Sequence, residues 1–448
     1  MLALSPNDAG APIAGGVLES SRIIPCQAAP GGRPVTPLAA AAAAIALLAG
    51  ILAGMVWPAS AMARDMAAPA SAQDAPIAML VDAGNGQILF EREADRRFVP
   101  ASITKVMTLY TAFEQIDQGT LNPERVITMP ENVWRDWRGR GSTMWINLGD
   151  NVPARDLLLG IANVSANDAS VLLAQAQAGS VENWLDLMNA QARDLGMANS
   201  HFGTPNGWPD AGATFTTARD LVTLAGAMVN RHPDKFAYYI GRPGLTYGGI
   251  EQANRDPMIG RVAGADGIKT GYTNEAGFGY LGTAMRDGRR LVLVVAGSPR
   301  SRARARAARD LVEWGFGAFE RKTLFKAGEI VATARVQAGS QRRVGLSAPR
   351  DIYINLPQAN GAGNGAGNGA QIGSGDLDGV RATLRYDGPV RAPILRGEVI
   401  AHLVIEVPGM TPTRIALEAS SSVEEAGFFT RIANGLAGWG NGVIGWFG

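Results

Sequence analysis

Three short motifs, in a fixed order and widely separated, constrain this chain more than any other feature. They are Ser102-Ile103-Thr104-Lys105, Ser165-Ala166-Asn167 and Lys269-Thr270-Gly271, about 63 and 104 residues apart. The chain has five lysines among its 41 basic residues, and two of the five belong to these motifs. Three ordered matches of this kind are typical of a serine acyl-transfer site that needs no histidine.

The first motif predicts a nucleophile and its base on one side of a helix. Ser102 stands near the start of a helical stretch, where backbone amides and the helix dipole favour developing negative charge. Lys105 comes one turn later, so its amine reaches the Ser102 hydroxyl. An amine acts as a base only when it is neutral, so the pKa of Lys105 must be depressed by burial or by a nearby cation. Lys269 is the candidate cation.

The second motif supplies polar groups to the same site. Ser165 can bridge the two amines and pass a proton to the leaving group. Asn167 offers a side-chain amide to a backbone carbonyl of the substrate. A structural interpretation stays open for each motif alone, with Ser102 as a helix cap, Asn167 as a turn residue and Lys269 as a solvated strand end.

The third motif predicts how a peptide substrate lies. Thr270 can donate to a terminal carboxylate, and Gly271 keeps the strand surface clear, so that an extended peptide pairs with the strand edge. The backbone amides of Ser102 and Tyr272 are the candidate oxyanion hole.

Histidine chemistry is disfavoured. His201, His232 and His402 are far apart and have no companion pattern, so we expect surface or capping roles rather than a triad or a metal site. No metal or organic cofactor is implied.

Composition and the N-terminal segment indicate an exported protein of more than one domain. A chain of 448 residues predicts two domains plus appendages. A net charge of +1 does not indicate a nucleic-acid-binding surface. The uncharged run Leu38 to Trp57 precedes small residues, which predicts a signal peptide within residues 1–63, cleaved after Ala61 or Ala63. A membrane-spanning anchor is the alternative, because about 20 apolar residues span a bilayer. The only cysteine, Cys26, precedes the cleavage site, and export without cysteine fits a bacterial periplasm.

Periodicity predicts the order of secondary structure. Ile77 to Phe90 alternates around Gly84-Asn85-Gly86, which indicates a hairpin. A helix follows Pro100, with Ile103, Val106, Met107, Tyr110 and Phe113 on one face. Two helices broken at Ser165-Ala166-Asn167 cover Ala154 to Gln177. Strands at Gly277 to Met285 and Arg290 to Gly297 precede a helix at Ala305 to Phe319. This order indicates a sheet flanked by helices, not a doubly wound fold.

The character of the chain changes near Thr323. Short strand-like runs predict a small all-β sandwich over residues 323–418, with a flexible Asn/Gly/Ala-rich loop at 359–375. In residues 420–448, large apolar side chains recur every three or four positions, which predicts an amphipathic helix at a membrane surface. A helix packed on its own protein is the alternative.

In these motifs the chain resembles the low-molecular-mass penicillin-binding proteins that act as D-alanyl-D-alanine carboxypeptidases. The resemblance runs from about Ala75 to the C-terminus. Beyond the three motifs, it rests on the segments Thr217-Ala218-Arg219-Asp220, Asp266-Gly267-Ile268, Trp314-Gly315-Phe316 and Trp446-Phe447-Gly448. It implies an α+β catalytic domain of the β-lactamase/transpeptidase-like type over residues 75–321, an antiparallel sheet flanked by helices.

The resemblance also implies residue roles. Ser102 would be the acylated nucleophile, Lys105 its base, and Ser165, Asn167 and Lys269 would complete the site. An arginine that meets the substrate carboxylate is implied as well, and counting back from Trp314 indicates Arg304, with Arg302 and Arg306 as neighbours in an uncertain register. Two residues depart from the family pattern. Ala166 stands where glycine is usual, and Tyr272 stands where histidine is common.

The sequence therefore predicts a periplasmic serine carboxypeptidase that removes the terminal D-alanine from peptidoglycan pentapeptide stems and is acylated by β-lactams. Its expected partners are the stem peptide, β-lactam antibiotics and, through the C-terminal helix, the outer face of the inner membrane, with a homodimer left open. A serine β-lactamase shares the motifs. Glu182 lies too soon after Asn167 for the water-activating motif of the class A enzymes, which weighs against that alternative. A non-catalytic sensor of β-lactams or of the wall is the third hypothesis.

Overall fold

The computed structural model describes residues 67–358, 377 and 379–427. The predicted leader at 1–63, the loop at 359–375 and residues 428–448 of the predicted C-terminal helix lie outside the described residues. Within the described parts of the chain, no helix combines the length and the apolar character needed to cross a bilayer.

The first part of the described chain is built on a five-stranded antiparallel sheet. The 3-10 helix Ala70–Asp74 precedes it. The strands of this part, with two small two-stranded sheets included, are β1 Ile77–Asp82, β2 Gln87–Arg92, β3 Val126–Thr128, β4 Asn151–Pro153, β5 Gly244–Tyr247, β6 Ile250–Ala253, β7 Ala265–Thr273, β8 Gly277–Arg286 and β9 Arg289–Ser298. The order in the large sheet is β2-β1-β9-β8-β7, so β7 is an edge strand. Both predicted hairpins are confirmed.

Helices cover both faces of this sheet. They are α1 Lys105–Asp117, α2 Glu131–Trp137, α3 Ala154–Asn163, α4 Asn167–Ala178, α5 Val181–Asp194, α6 Ala218–Arg231, α7 Pro233–Tyr239 and α8 Ser301–Gly317. Strand β1 shows why two layers are needed, because all of its residues are buried. Ile77, Met79 and Val81 join the core under helices α1 to α7, whereas Ala78 and Leu80 join the core under α8.

Two helices differ from their prediction. The sequence predicted one buried face for α1, but every residue from Lys105 to Phe113 is buried, because α3, α5 and α6 pack around it. Helix α8 begins at Ser301, four residues before the predicted start, and Phe319 belongs to the next strand. The arginine-rich first turn has no apolar period to reveal its helicity. The predicted break between α3 and α4 is confirmed.

The rest of the described chain is the predicted all-β part. Its strands are β10 Phe319–Phe325, β11 Ile330–Gln337, β12 Arg343–Ser347, β13 Ile352–Pro357, β14 Arg381–Arg385, β15 Val390–Arg391, β16 Val399–Glu406 and β17 Thr413–Ala419. Strands β10 and β13 pair with each other, and the other six form one sheet. Both sheets contribute to a single core, with Ile354 from one and Leu346 and Leu417 from the other.

A buried polar network joins the two parts. Asp82, at the end of β1, is fully buried and accepts a hydrogen bond from the Tyr353 hydroxyl at 2.8 Å. It also accepts from Asn355 Nδ2 and Arg289 Nε, each at 3.0 Å. Because a buried carboxylate is costly unless it accepts hydrogen bonds, the bonds to Asp82 fix how β13 lies against the first hairpin.

The beginning of the predicted C-terminal helix is not helical. Val423 forms a bridge with Ile394, and the Ala426 amide donates to the Ala338 carbonyl at 2.8 Å. Residues 420–427 thus pack on the all-β part.

Candidate active site

Ser102 lies in the short 3-10 helix Ala101–Thr104, which runs directly into α1. Ala101 has a φ of +50°, an uncommon value for a residue with a side chain. The backbone turn brings Ser102 Oγ to 2.9 Å from Lys105 Nζ. The predicted proximity of the two residues is present, and the local backbone conformation that achieves it could not be read from the sequence.

The Lys105 amine is fully buried and has three oxygen neighbours. Besides Ser102 Oγ, these are Asn167 Oδ1 at 2.7 Å and the Asn206 carbonyl oxygen at 2.6 Å. Burial, and next the charge of Lys269, hold the pKa of Lys105 well below its ordinary value, while Asp168 opposes the shift. A neutral amine has two N–H groups and one lone pair. Asn167 Oδ1 and the Asn206 carbonyl can only accept, so they take the two N–H groups and leave the lone pair to the Ser102 hydroxyl.

Asn167 is the first residue of α4 and is tied to the loop that precedes β4. Its backbone amide donates to the Ser142 carbonyl at 2.8 Å, and its Nδ2 donates to the Arg140 carbonyl at 2.9 Å. One N–H of the side-chain amide has no acceptor among the described residues. The neighbouring Asp168 accepts from the Met144 amide at 2.9 Å, which holds the same loop in place.

Ser165 lines the cleft in a left-handed conformation, with a φ of +65°. It is 8% exposed. Over the described residues, its hydroxyl forms no hydrogen bond with the amine of Lys105 or Lys269. The predicted bridge between the amines is therefore not formed in this structure.

The third motif lies on the edge strand β7. Lys269 is 4% exposed, and its Nζ donates to the Thr270 carbonyl at 3.1 Å. Burial, followed by the charge of Arg255, lowers the pKa of Lys269 to about 7, with Arg304 acting in the same direction and Asp256 against it. Lys269 therefore titrates near neutral pH.

Gly271 lies close to the turn that carries Ser102. A Cβ added there would lie 2.5 Å from the Pro100 carbonyl oxygen and 3.1 Å from Ile103 Cγ1. The absence of a side chain therefore lets β7 approach this turn, while Gly271 itself also lines the cleft. Tyr272, the next residue, is 51% exposed and stacks on Phe278 with a centroid separation of 4.1 Å.

The structure separates Arg304 from its two neighbours. Arg304 is 8% exposed and lines the same cleft as Ser102 and Thr270. Its Nε has no hydrogen-bond partner among the described residues. Arg306 instead pairs with Asp74 at 2.8 Å, and Arg302 is exposed. Of the three arginines, it is Arg304 that lies at the cleft.

The cleft has a volume of about 690 Å³ and brings seven of the nine candidate residues to its surface. These are Ser102, Ser165, Asn167, Thr270, Gly271, Tyr272 and Arg304. Lys105 and Lys269 lie just beneath it, buried as their chemistry requires.

Sequence reasoning missed the segment Asn206 to Pro209, which forms one wall of the cleft. Asn206 accepts from Lys105, and Trp208 lines the cleft. Gly207 has a φ of +72°, and a Cβ there would overlap the Ala101 carbonyl and lie 2.9 Å from Thr104 Oγ1. The Pro-Asn-Gly triplet was the only signal available, and it indicates no more than a turn.

The histidines lie outside the cleft. His232 is 3% exposed and stands at the cap position between α6 and α7, one of the two roles expected for it. Its Nδ1 lies 2.7 Å from Asp117 Oδ2, and its Nε2 lies 3.1 Å from Glu114 Oε1. His201 contacts the Ala213 carbonyl and His402 contacts Arg414.

Comparisons with known proteins agree with this geometry. Residues 63–300 match the family model described as D-alanyl-D-alanine carboxypeptidase. Residues 319–425 match the model of the penicillin-binding protein 5 C-terminal domain. The D-alanyl-D-alanine carboxypeptidase DacC of Escherichia coli is 31% identical over 395 residues, which cover 86% of this chain and 94% of that protein.

Two solved structures extend the comparison. Penicillin-binding protein 5 from Haemophilus influenzae superposes with a TM-score of 0.66 at 29% identity, covering 79% of this chain and 98% of that one. Penicillin-binding protein D2 from Listeria monocytogenes, in its ampicillin-bound form, gives a TM-score of 0.50 at 28% identity, covering 54% of this chain and 97% of the other. From its motifs, its fold and these relatives, the chain belongs to the family of serine-type D-alanyl-D-alanine carboxypeptidases.

Proposed function

We propose that the chain performs its family's reaction through an acyl-enzyme on Ser102, with Lys105 as the base. The observation that carries this proposal is the hydrogen bonding around the Lys105 amine. Two carbonyl oxygens take its N–H groups at 2.7 and 2.6 Å, so its lone pair faces Ser102 Oγ at 2.9 Å. Burial holds the pKa of this amine well below its ordinary value, which favours the neutral form that removes the hydroxyl proton as the oxygen attacks.

The proposed substrate is the pentapeptide stem of peptidoglycan, which ends in D-alanyl-D-alanine. An extended peptide would pair with the open edge of β7. Its terminal carboxylate would meet Lys269, Thr270 and Arg304, because Arg304 has an unpaired Nε in a nearly buried position. This places the penultimate carbonyl against Ser102.

The reaction then follows in two steps. Ser102 Oγ bonds to the penultimate carbonyl carbon, and the backbone amides of Ser102 and Tyr272 stabilise the oxyanion. The C–N bond breaks, and D-alanine leaves with the proton taken up by Lys105, relayed through Ser165. In the second step, water adds to the ester carbonyl carbon, the bond from that carbon to Ser102 Oγ breaks, and a proton of the water passes to Ser102 Oγ. The same serine would open a β-lactam ring, a reactive amide with a nearby carboxylate.

A direct test is D-alanine release from a synthetic pentapeptide stem. We expect release by the wild type and none by Ser102→Ala. We also expect a labelled penicillin to bind covalently to the wild type alone. Penicillin hydrolysis that outpaces D-alanine release would favour a β-lactamase. A folded wild type that neither releases D-alanine nor hydrolyses penicillin would favour a sensor.

We propose that the enzyme is exported to the periplasm and attached peripherally to the outer face of the inner membrane. The support is the apolar segment before Ala61 and the aromatic-rich sequence after Gly427. Truncation after Gly427 retains the contacts of Val423 and Ala426 with the all-β part. We expect that truncated protein to leave the membrane fraction and keep its activity. If it still sediments with membranes, the anchor assignment is wrong.

A further inference from the structure

A second cavity lies beside the cleft, at the first turns of α8. It has a volume of about 910 Å³ and shares Ser301 and Arg304 with the cleft, but it does not include Ser102. We call it the arginine basin. It is lined by six arginines, Arg261, Arg300, Arg302, Arg304, Arg306 and Arg309, against two aspartates, Asp74 and Asp256.

The positive charge of the basin is poorly compensated by the protein. Asp74 is engaged by Arg306 at 2.8 Å. Asp256 accepts hydrogen bonds from the Tyr280 hydroxyl and from two backbone amides, so its carboxylate is largely used. In the described portion of the chain, Arg300 and Arg302 form no ion pair or side-chain hydrogen bond.

Helix α8 begins at this cavity without the groups that normally stabilise a helix N-terminus. Arg300 is the N-cap residue, no side chain caps the first turn, and that turn has no acidic residue. The positive end of the helix dipole therefore adds to the arginine charges. Arginine at a helix N-terminus is unfavourable unless an anion is bound there.

Arg304 is an independent indication of a ligand. It is 8% exposed, its Nε has no hydrogen-bond partner among the residues the structure describes, and it lines the basin as well as the cleft. A buried guanidinium with an unsatisfied N–H requires an acceptor from outside the protein. One substrate carboxylate can satisfy Arg304 from the cleft, but it leaves Arg300 and Arg302 without a counter-charge.

We propose that the arginine basin binds a multiply charged oxyanion, a phosphate ester or diphosphate. Guanidinium groups grip tetrahedral oxyanions with paired N–H donors, and several of them around one cavity suit a group of two or more negative charges. Because Arg304 is shared, a bound oxyanion competes with the terminal carboxylate of the substrate. A bound oxyanion should therefore raise KM for the stem peptide and leave kcat unchanged. This kinetic effect rests on the proposed function, whereas the binding of the oxyanion does not.

The test is calorimetric titration of the full chain, carrying Ser102→Ala, with inorganic pyrophosphate at constant ionic strength. Using that background keeps the binding result independent of turnover. We expect Arg300→Gln with Arg302→Gln to weaken binding by about tenfold for each arginine removed. The matched control is Arg335→Gln, an exposed arginine of β11, which we expect to change nothing. Acetate should bind much more weakly than pyrophosphate.

Two further arms locate the site and identify the source of the phosphate. The wild type, acylated by penicillin so that its cleft is filled and its carboxylate meets the shared Arg304, should bind pyrophosphate more weakly but not lose binding, because Arg300 and Arg302 lie outside the cleft. Stronger binding to phosphatidate vesicles than to pyrophosphate would assign a lipid headgroup, and the reverse would assign a soluble ester. The proposal is overturned if acylation abolishes binding, if Arg335→Gln weakens binding as much as the double variant, or if acetate competes equally.

Discussion

Gly207→Ala isolates the contribution of the cleft wall that sequence reasoning missed. Gly207 adopts a φ of +72°, and a Cβ at this position would overlap the Ala101 carbonyl. It would also lie 2.9 Å from Thr104 Oγ1. Both neighbours belong to the turn that carries Ser102, so the new methyl group must displace either that turn or the Asn206 carbonyl that holds Lys105.

Two separate costs determine how much unfolding free energy Gly207→Ala removes. A left-handed conformation costs a residue with a side chain about 1–2 kcal/mol. Forcing a methyl group against a packed backbone costs about 1–3 kcal/mol more. Relief of the overlap requires a shift of about 1 Å, and a misplacement of that size in a catalytic constellation costs on the order of 10²-fold in rate. We therefore expect a loss of about 2–5 kcal/mol in unfolding free energy and about 100-fold in acylation.

Gly212→Ala is the matched control. Gly212 lies in the same loop region with a φ of +84°, and a Cβ there would have no atom within 4 Å. Gly212→Ala has the cost of the left-handed conformation without the steric overlap, so we expect a loss of about 1–2 kcal/mol in unfolding free energy and unchanged acylation. The assay is the second-order rate of acylation by a fluorescent penicillin, measured by stopped flow, with thermal unfolding of both variants. If folded Gly207→Ala protein is acylated at a rate within about threefold of the Gly212→Ala rate, then close packing at Gly207 does not position the Ser102 turn.

Three further predictions follow from buried charges. The pKa of Lys269 is about 7, so raising the pH through that value removes the positive charge proposed to face the terminal carboxylate. We expect kcat/KM for a stem peptide to fall across that pH range, and kcat/KM for a stem with an amidated C-terminus to show no such fall. Between pH 7 and 10.5, the ordinary pKa of lysine, the unfolded chain binds more protons than the folded chain, because burial disfavours the charged amine of Lys269. Lys269→Met should therefore raise the melting temperature most below pH 7, and this gain should shrink toward pH 10. An equal melting temperature for both proteins below pH 7 would show that Lys269 is not desolvated. Asp82→Ala leaves the buried Arg289 unpaired and should lower the unfolding free energy, measured by chemical denaturation, by about 3–5 kcal/mol. The control Asp136→Ala, in the exposed pair with Arg135, should lower it by less than about 1 kcal/mol, and equal losses would contradict a stabilising role of the Asp82 network.

The sequence by itself determined the chemistry and the family of the site. Ordered motifs specify residue types whose reactivity is intrinsic, so Ser102, Lys105 and Lys269 could be assigned before any coordinates. Period-2 and period-3.6 patterns identified the hairpins and the break before α4, because these features depend on neighbours close in the chain.

Only the tertiary structure decided how those groups meet. Arg304 could not be separated from its neighbours in the sequence, since burial at the cleft depends on the rotation of α8 against the sheet. The role of Gly271 depends on the close approach of β7 to the serine turn, and that of Asn206 on a backbone carbonyl, which every residue has. Contacts between segments about 100 residues apart leave no local periodicity, because they are set by packing rather than by the neighbouring residues.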